Sequence, residues 1–172
     1  ITAYGGSNGA RSGGAGTIYI KPSTETHGNL IVDNNNIDYW YDNLTFGRTL
    51  INESYRFNNL TISDRGNLVV GPYSNISYIN LNWSDNGVIT DEGGNLTLFF
   101  GRDLGIPETA RFVANTYRNF STITINGTLT HSGPQKEKIF LINLTAVNLT
   151  INPTGTINIT EKGYDGGEGP GN

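Results

Sequence analysis

The chain has no cysteine and no methionine among its 172 residues, and its charged residues are sparse. Without cysteine there can be no disulfide framework and no zinc-thiolate site. Lys and Arg number 11 and Asp and Glu 15, so charged residues make up 15% of the chain, against the roughly 25% typical of soluble domains. The net charge of −4 and the lack of a basic cluster argue against nucleic acid as a partner. Apolar runs fall short of the ~18–20 residues that cross a bilayer, so we expect no membrane insertion.

The abundant residues are small and uncharged. Gly occurs 23 times, Asn 23 times, Thr 20 times and Ser 10 times. Gly, Asn and Ser favour turns, Thr favours strands, and none of the four is a strong helix former. The hydrophobic fraction of 35% suffices for one slender core. We therefore predict a single all-β domain whose solubility comes from uncharged polar groups.

Short apolar segments separated by Gly, Asn, Asp and Pro run along most of the chain. This pattern is typical of short strands joined by tight turns. Strands this short and numerous favour a β-solenoid of roughly seven coils. A β-sandwich or jelly roll, in which a terminal strand is donated to a neighbouring copy, stays open as the alternative. The clearest predicted strands cover residues 17–21, 29–32, 60–62, 68–70, 76–81, 96–100, 123–125, 139–144, 149–151 and 157–159.

Several short pieces of sequence recur at an offset of 62 or 63 residues. This period is too long for one coil and fits about three coils of some 20 residues each. We therefore predict one domain over residues 1–172, with glycine-rich termini and an internal repeat of about 55–116 and 117–172. Residues 107–114 differ, because an initial Pro and Glu allow a short helix or an excursion there. The recurring pieces are Tyr55-Arg56 with Tyr117-Arg118, Gly71-Pro72 with Gly133-Pro134, and Ile79-Asn80-Leu81 with Ile142-Asn143-Leu144.

The acceptor sequence for N-linked glycosylation, Asn-x-Ser/Thr with x other than Pro, is enriched. Independent placement of the same residues would give about four of these sequons. In a strand, residues i and i+2 point to one side, so an outward Asn carries its Ser or Thr outward while the residue between them packs inward. We therefore predict accessible glycosylation sites. The chain has eleven sequons, at Asn43, Asn52, Asn59, Asn75, Asn82, Asn95, Asn119, Asn126, Asn143, Asn148 and Asn158.

The same residue types also suit a strand-and-turn fold that carries no sugar, because Asn favours turns and Thr favours strands. The enrichment favours substantial glycosylation over this alternative. Sugars would supply the polarity that the few charges do not, and would block pairing along the flanks of the sheets. A stack with covered flanks and bare ends is suited to head-to-tail assembly.

Glycine-rich strand motifs occur at both ends of the chain. Residues 1–6 read ITAYGG and 13–20 read GGAGTIYI, while 148–151 read NLTI, 155–159 GTINI and 162–167 KGYDGG. These motifs resemble the glycine-rich right-handed parallel β-helix repeats of large microbial cell-surface proteins. The resemblance implies a right-handed parallel β-helix with a structural or adhesive role, and it supplies no catalytic residues. The glycine-rich ends would also continue into one another, as in tandem repeats or a head-to-tail homopolymer.

An aromatic cluster formed by Tyr39, Trp40 and Tyr41 is a second candidate site. On a strand, Tyr39 and Tyr41 would face one side and Trp40 the other. The cluster could stack on a sugar, contact another subunit or cover one end of the core. We favour a subunit or core role, and a carbohydrate-binding adhesin module stays open as an alternative function.

Carboxylates offer the nearest approach to a catalytic site. Asp85, Asp91 and Glu92 could belong to a polysaccharide lyase or hydrolase, but they lie in strong turn sequences. His27 and His131 are the two histidines, and neither has a second His or a Cys at ligand spacing. We therefore predict no catalytic residues and no metal site, and we do not expect an enzyme.

Calcium is an additional candidate ligand. Asp165 and Glu168 lie in a glycine-rich segment that could bind Ca²⁺ with the help of backbone carbonyls. No other feature of the sequence supports such a site, so we expect no cofactor besides covalent N-linked glycans.

Taken together, the sequence predicts a structural subunit or repeat of an extracellular, heavily N-glycosylated cell-surface fibre. Its expected partners are further copies of itself and glycans. A carbohydrate-binding adhesin and, less favoured, a polysaccharide lyase or hydrolase are the alternatives.

Overall fold

The computed structural model describes residues 2–5, 7–8, 11–12, 14–37, 47–96, 103–133, 141–164 and 166–167. These residues form strands, turns and loops and contain no helix, which confirms the all-β prediction for this part of the chain. The strands are β1 (Ser7–Asn8), β2 (Arg11–Ser12), β3 (Thr17–Ile20), β4 (Gly28–Asp33), β5 (Arg48–Ile51), β6 (Tyr55–Ser63), β7 (Asn67–Val70), β8 (Asn75–Trp83), β9 (Val88–Asp91), β10 (Asn95–Leu96), β11 (Asp103–Ile106), β12 (Arg111–Ala114), β13 (Arg118–Ile125), β14 (Thr128–Thr130), β15 (Leu144–Ile151) and β16 (Thr156–Ile157).

Most of the strands belong to three sheets. The long sheet is entirely parallel and has the order β16-β14-β12-β9-β7-β5. The first side sheet has the order β10-β8-β6-β4-β3 and is parallel except for β3, which runs antiparallel to β4. The second side sheet, β11-β13-β15, is parallel. Strands β1 and β2 form a separate antiparallel pair.

The chain alternates between the long sheet and a side sheet. From β4 to β9 it alternates with the first side sheet, and from β11 to β16 with the second. Neighbouring strands of the long sheet pair residues that are 17 positions apart at the closest, Arg111 with Thr128, and 28 at the farthest, Thr128 with Thr156. Such long separations are expected, because two parallel strands need a crossover connection between them.

The core lies between the long sheet and the side sheets. One column of the long sheet, Leu68, Ile89, Phe112 and Leu129, is almost fully excluded from solvent, and these residues occupy matching register positions. Each such side chain stabilises the fold by about 1.5–3 kcal/mol relative to an exposed position. The side sheets complete the core with Leu30, Val32, Phe57, Leu60, Ile62, Ile76, Trp83, Leu104, Ile106, Phe120, Ile123 and Ile125.

A small residue stands directly before every strand of the long sheet. At Gly66 an added Cβ would lie 2.2 Å from the carbonyl oxygen of Val32, and at Gly127 it would lie 2.1 Å from that of Pro107. At Gly66 and Gly127 the chain therefore passes so close to a neighbouring carbonyl that a side chain is excluded. The six small residues are Gly47, Gly66, Gly87, Ala110, Gly127 and Gly155.

Three two-residue turns follow strands of the first side sheet, and consecutive turns are hydrogen-bonded to each other. Both central residues of each turn have φ between 46° and 63°, the left-handed region that Asn and Asp tolerate best among residues with a side chain. The turns are linked by the Asn36 N–H, which donates to the Asp64 carbonyl over 3.0 Å, and by the Arg65 N–H, which donates to the Asp85 carbonyl over 3.3 Å. The central pairs are Asn35-Asn36, Asp64-Arg65 and Asp85-Asn86.

Two details of the sequence-based prediction are wrong. Residues 107–114 form no helix, because Pro107 to Ala110 make a turn, closed by the Ala110 N–H on the Pro107 carbonyl over 3.0 Å, and strand β12 follows at once. Residues 141–143 are not in a strand either, and the separately predicted strand at 149–151 is the end of the longer β15.

The recurring sequence pieces fall on corresponding elements. Tyr55-Arg56 begins β6, and Tyr117-Arg118 stands at the start of β13. Gly71 follows β7, and Gly133 follows β14 after a short loop. The recurring Ile-Asn-Leu lies within β8 at residues 79–81 and runs into the start of β15 at residues 142–144. The repeat thus relates β6-β7-β8 to β13-β14-β15.

Candidate functional site

The asparagines of the sequons lie mostly on the outside of the molecule. Among the nine whose side chains are described, Asn126 is half-buried and the other eight are exposed. Asn43 lies outside the described residues, and for Asn95 only the backbone is described. The eight exposed asparagines are Asn52, Asn59, Asn75, Asn82, Asn119, Asn143, Asn148 and Asn158.

Strand geometry explains this exposure in the middle of the side sheets. In β6, Asn59 is exposed while the next residue, Leu60, is fully buried. Asn75 with Ile76 in β8 and Asn119 with Phe120 in β13 repeat the arrangement. Because successive side chains of a strand point to opposite faces, the residue between Asn and Ser/Thr fills the core.

The sequons after β14 depart from this pattern. Leu149 and Ile159, which follow Asn148 and Asn158, are 56% and 58% exposed. Leu149 occupies the register position next to the buried Ile123, so it continues a core column that no further described strand covers. Its exposure therefore reflects its place on the last strand of the second side sheet.

Three asparagine side chains form a hydrogen-bonded ladder across the first side sheet. Asn29, Asn59 and Asn80 occupy matching register positions on β4, β6 and β8. The Asn59 amide nitrogen donates to Oδ1 of Asn29, and the Asn80 amide nitrogen donates to Oδ1 of Asn59 over 2.9 Å. The side chain of Asn59 is thus engaged on both sides, although it is exposed to solvent.

Asp91 forms a buried ion pair rather than an open carboxylate site. The Arg118 guanidinium donates to both of its oxygens, from Nη2 to Oδ1 and from Nε to Oδ2, each over 2.6 Å. The Thr116 hydroxyl donates to Oδ2 over 2.7 Å and the Gly93 N–H to Oδ1 over 3.0 Å. Arg118 also donates to the Gly94 carbonyl. With four donors on its two oxygens, Asp91 is a structural anchor that joins β9 to β13.

The other carboxylates of this candidate cluster have partners of their own. Asp85 accepts a hydrogen bond from the Ser84 hydroxyl over 2.9 Å within its turn, and Glu92 forms an ion pair with Arg48. His131 is buried, and its Nδ1 donates to the Ser132 carbonyl over 2.6 Å. Within the described ranges, no group of three or more His, Cys, Asp or Glu side chains is placed to hold a metal ion.

Two predicted features cannot be placed. The aromatic cluster of Tyr39, Trp40 and Tyr41 and the possible calcium ligands Asp165 and Glu168 lie outside the described residues.

An aromatic groove, which the sequence-based reasoning missed, lies where β3, β5 and β6 approach one another. It is lined by Tyr19, Tyr55 and Phe57 together with polar residues that include Glu53 and Arg56. Tyr19 and Tyr55 are 36 positions apart, so their proximity depends on the pairing of β3 with β4 and of β4 with β6. Nothing in the local sequence signals it.

The chain matches no protein-family model, no curated protein and no solved structure. Across the residues that the structure describes, there is no helix long and apolar enough to span a bilayer.

Proposed function

We propose that this chain is a structural subunit or repeat of an extracellular, N-glycosylated cell-surface fibre, built as a parallel β-helix. The observation that carries the proposal is the set of exposed sequon asparagines, which in β6, β8 and β13 alternate with buried core residues. Each of these sequons thus presents its acceptor amide to solvent, while the residue that follows the asparagine fills the interior.

The order of the strands supports the β-helix. Each described strand of the long sheet from β7 onward is reached after a strand of a side sheet, and all neighbours within the long sheet are parallel. Matching core residues then stack in columns, as in the series from Leu68 to Leu129. Purely parallel sheets joined in this way are a feature of β-helices. The long sheet would correspond to six coils, close to the seven predicted.

A glycan coat accounts for the unusual surface composition. Charged residues are only 15% of the chain, so uncharged polar groups must keep it in solution. Glycans on the exposed asparagines would add polarity and shield the flanks of the sheets from edge pairing. This shielding leaves the ends of the stack as the surfaces available for assembly.

The end formed by β15 and β16 provides an apolar surface for that assembly. Leu149, Ile151 and Ile157 are each more than 40% exposed and point from the last strands of two sheets. At the opposite end, Tyr4 and Ile20 are exposed. We propose that the β15–β16 end of one copy or repeat contacts the β3 end of the next, a heterologous contact of the type that generates filaments.

Glycopeptide mass spectrometry of the native protein tests the proposal. Peptides that contain Asn82 or Asn119 should carry hexose-sized mass increments attached to the asparagine. If every sequon peptide has the mass of the unmodified peptide, the glycoprotein part of the proposal is wrong. Electron microscopy of native cell surfaces tests the fibre independently of the sugar.

A further inference from the structure

The aromatic groove has the dimensions of a small-ligand site. Its volume is about 670 Å³, and its lining comes from β3, β4, β5, β6 and the β5–β6 connection. Ligand pockets in proteins typically have volumes of ~300–1,000 Å³ and combine an apolar lining with a few polar groups. Of the strands around the groove, β6 is paired on both sides, whereas β3 and β5 are the last strands of their sheets. Thr49 of β5 donates its hydroxyl to the Ala15 carbonyl over 2.7 Å.

Three aromatic rings in the groove hold one another in fixed orientations. The rings of Tyr55 and Phe57 are stacked, with centroids 6.0 Å apart and planes 20° apart. Tyr19 meets Phe57 edge-on, at 6.2 Å and 65°. Phe57 is buried, whereas Tyr19 and Tyr55 are 55% and 46% exposed. The two tyrosines thus present ring surface to solvent on a rigid base.

The position of Tyr19 depends on a glycine in the neighbouring strand. A Cβ added to Gly28 would lie 2.4 Å from the Tyr19 ring, so any larger residue at Gly28 would displace that ring. The ring therefore lies directly against the backbone of β4 at Gly28.

Polar groups of both charges surround the rings. The Tyr55 hydroxyl donates to Oε2 of Glu53 over 2.7 Å. This hydrogen bond and the negative charge of Glu53 raise the pKa of Tyr55 above its usual value. Arg56 and Asn52 also line the groove. With one carboxylate and one guanidinium, the groove favours a ligand that is polar and uncharged.

We infer that the groove binds a short, neutral oligosaccharide of pyranose units. A pyranose ring has apolar C–H faces that suit the exposed faces of Tyr19 and Tyr55, and a rim of hydroxyls that suits Glu53, Arg56 and Asn52. Purely apolar ligands would leave those polar groups without partners, which is unfavourable. This site lies away from the β15–β16 end but includes one sequon asparagine, Asn52, which must be free of glycan for the groove to bind sugar. It adds a recognition function to the structural role.

Saturation-transfer NMR of the purified chain with cellobiose, maltose, mannobiose and N,N′-diacetylchitobiose tests the inference. At least one of the four disaccharides should bind with millimolar affinity. Tyr55→Ala should weaken that binding about tenfold, because it removes an aromatic stacking surface. Tyr55→Phe should retain most of it, since the ring face is kept. Tyr73→Ala is the matched control, because Tyr73 is 85% exposed and does not line the groove.

Two results would overturn the inference. The first is that none of the four disaccharides binds at millimolar concentration; loss of assembly in Tyr55→Ala would then make the groove a subunit contact. The second is binding that persists unchanged in Tyr55→Ala. The chain for this test is produced without N-glycosylation, so a glycan on Asn52 cannot block the groove, and failure of this inference can be told apart from failure of the proposed function.

Discussion

Asp91 is a carboxylate in a protein interior, and the residues around it determine its role. Its side chain is 6% exposed and that of Arg118 is 29% exposed. A buried charge without a partner is strongly destabilising, whereas a fully hydrogen-bonded pair is tolerated and fixes geometry. Arg118 stands 27 positions along the chain, so this pair links two distant strands.

Substitution of Arg118 by Met should therefore destabilise the fold. We expect a loss of about 3 kcal/mol in the free energy of unfolding, at the low end for a broken buried pair because Arg118 is partly exposed. Urea denaturation followed by circular dichroism measures the effect. Arg56→Met is the matched control, since Arg56 holds the same position in the internal repeat and is exposed.

The double variant Asp91→Asn/Arg118→Met separates the loss of the ion pair from the cost of leaving the Asp91 carboxylate buried without a partner. It should recover part of the loss, because no unpaired charge is left in the interior. If Arg118→Met is as stable as the wild type, the ion pair is not the anchor described above.

The sequons should differ in occupancy if glycans are added to the folded chain. Asn59 is engaged on both sides in the Asn29–Asn59–Asn80 ladder, and Asn126 is half-buried with its Oδ1 accepting from Asn152 over 2.6 Å. A transferase needs the asparagine amide in an accessible, unengaged state. We expect lower occupancy at Asn59 and Asn126 than at the exposed Asn82 and Asn119, measured by quantitative glycopeptide mass spectrometry.

The ladder also provides an internal test of this expectation. The double substitution Asn29→Ala/Asn80→Ala frees the Asn59 side chain and should raise its occupancy, while Asn119, on the other side sheet, should not change. Equal occupancy at all four sequons in the wild type would contradict the prediction.

At the scale of elements, the long sheet depends on the small residues that precede its strands. The carbonyls of Gly66 and Gly87 each accept a hydrogen bond from the first residue of the next strand, over 2.8 and 3.0 Å. These glycines also lie against a carbonyl of a side-sheet strand, of Val32 and of Ile62. The close approach aligns the start of each strand with the start of its neighbour.

Replacing Gly66 by Ala should lower stability, because the new methyl group would lie 2.2 Å from a backbone oxygen. We expect a loss of roughly 1–3 kcal/mol, the usual cost of overpacking. Gly105→Ala is the control, because an added Cβ there meets nothing within 4 Å. Thermal melts of the two variants should differ clearly, and equal melting temperatures would contradict the close-approach argument.

The side sheets could be predicted from the sequence better than the long sheet. Residues 60–62 alternate between apolar and polar residues, residues 29–32 and 76–81 are rich in β-branched and other apolar residues, and each segment was predicted as a strand. In the long sheet, β5, β9, β12 and β14 were not predicted as strands. Every residue of β9 is buried, so it shows no alternation, and β12 follows a Pro and a Glu that suggested a helix.

The sequons, the Asp91–Arg118 pair and the aromatic groove also differ in how far the sequence predicts them. The sequons are local patterns, and the exposure of their asparagines follows from strand geometry alone. The Asp91–Arg118 pair and the aromatic groove bring together residues that lie 27 and 36 positions apart. Such contacts depend on strand order and register, which the short apolar runs do not specify.

For the molecule as a whole, the two ends of the stack differ. The first side sheet ends in β3, an antiparallel strand that covers the edge of β4. The opposite end has no such cover among the described residues, and its core columns terminate in exposed Leu149 and Ile157. Unpaired edges with apolar residues are surfaces at which further chains add.

The proposed head-to-tail contact predicts that Leu149→Asp abolishes assembly without unfolding the chain. A carboxylate on this surface would have to be desolvated in the contact, which is unfavourable. Val147→Asp is the matched control, because Val147 lies on the same strand but is 83% exposed and has no register partner on β13. Light scattering and negative-stain microscopy measure the outcome, and polymers of normal length from Leu149→Asp would rule out this contact.

The Asp91–Arg118 ion pair has a mechanical consequence. In a fibre under tension along the stack, the load passes between successive strands, and this ion pair fastens β9 of the long sheet to β13 of the second side sheet. The four residue pairs of β9 with β12 carry further load at the same level. Optical-trap extension of the wild type should therefore show a yielding step that occurs at lower force in Arg118→Met. A single rupture event at equal force in both proteins would contradict it.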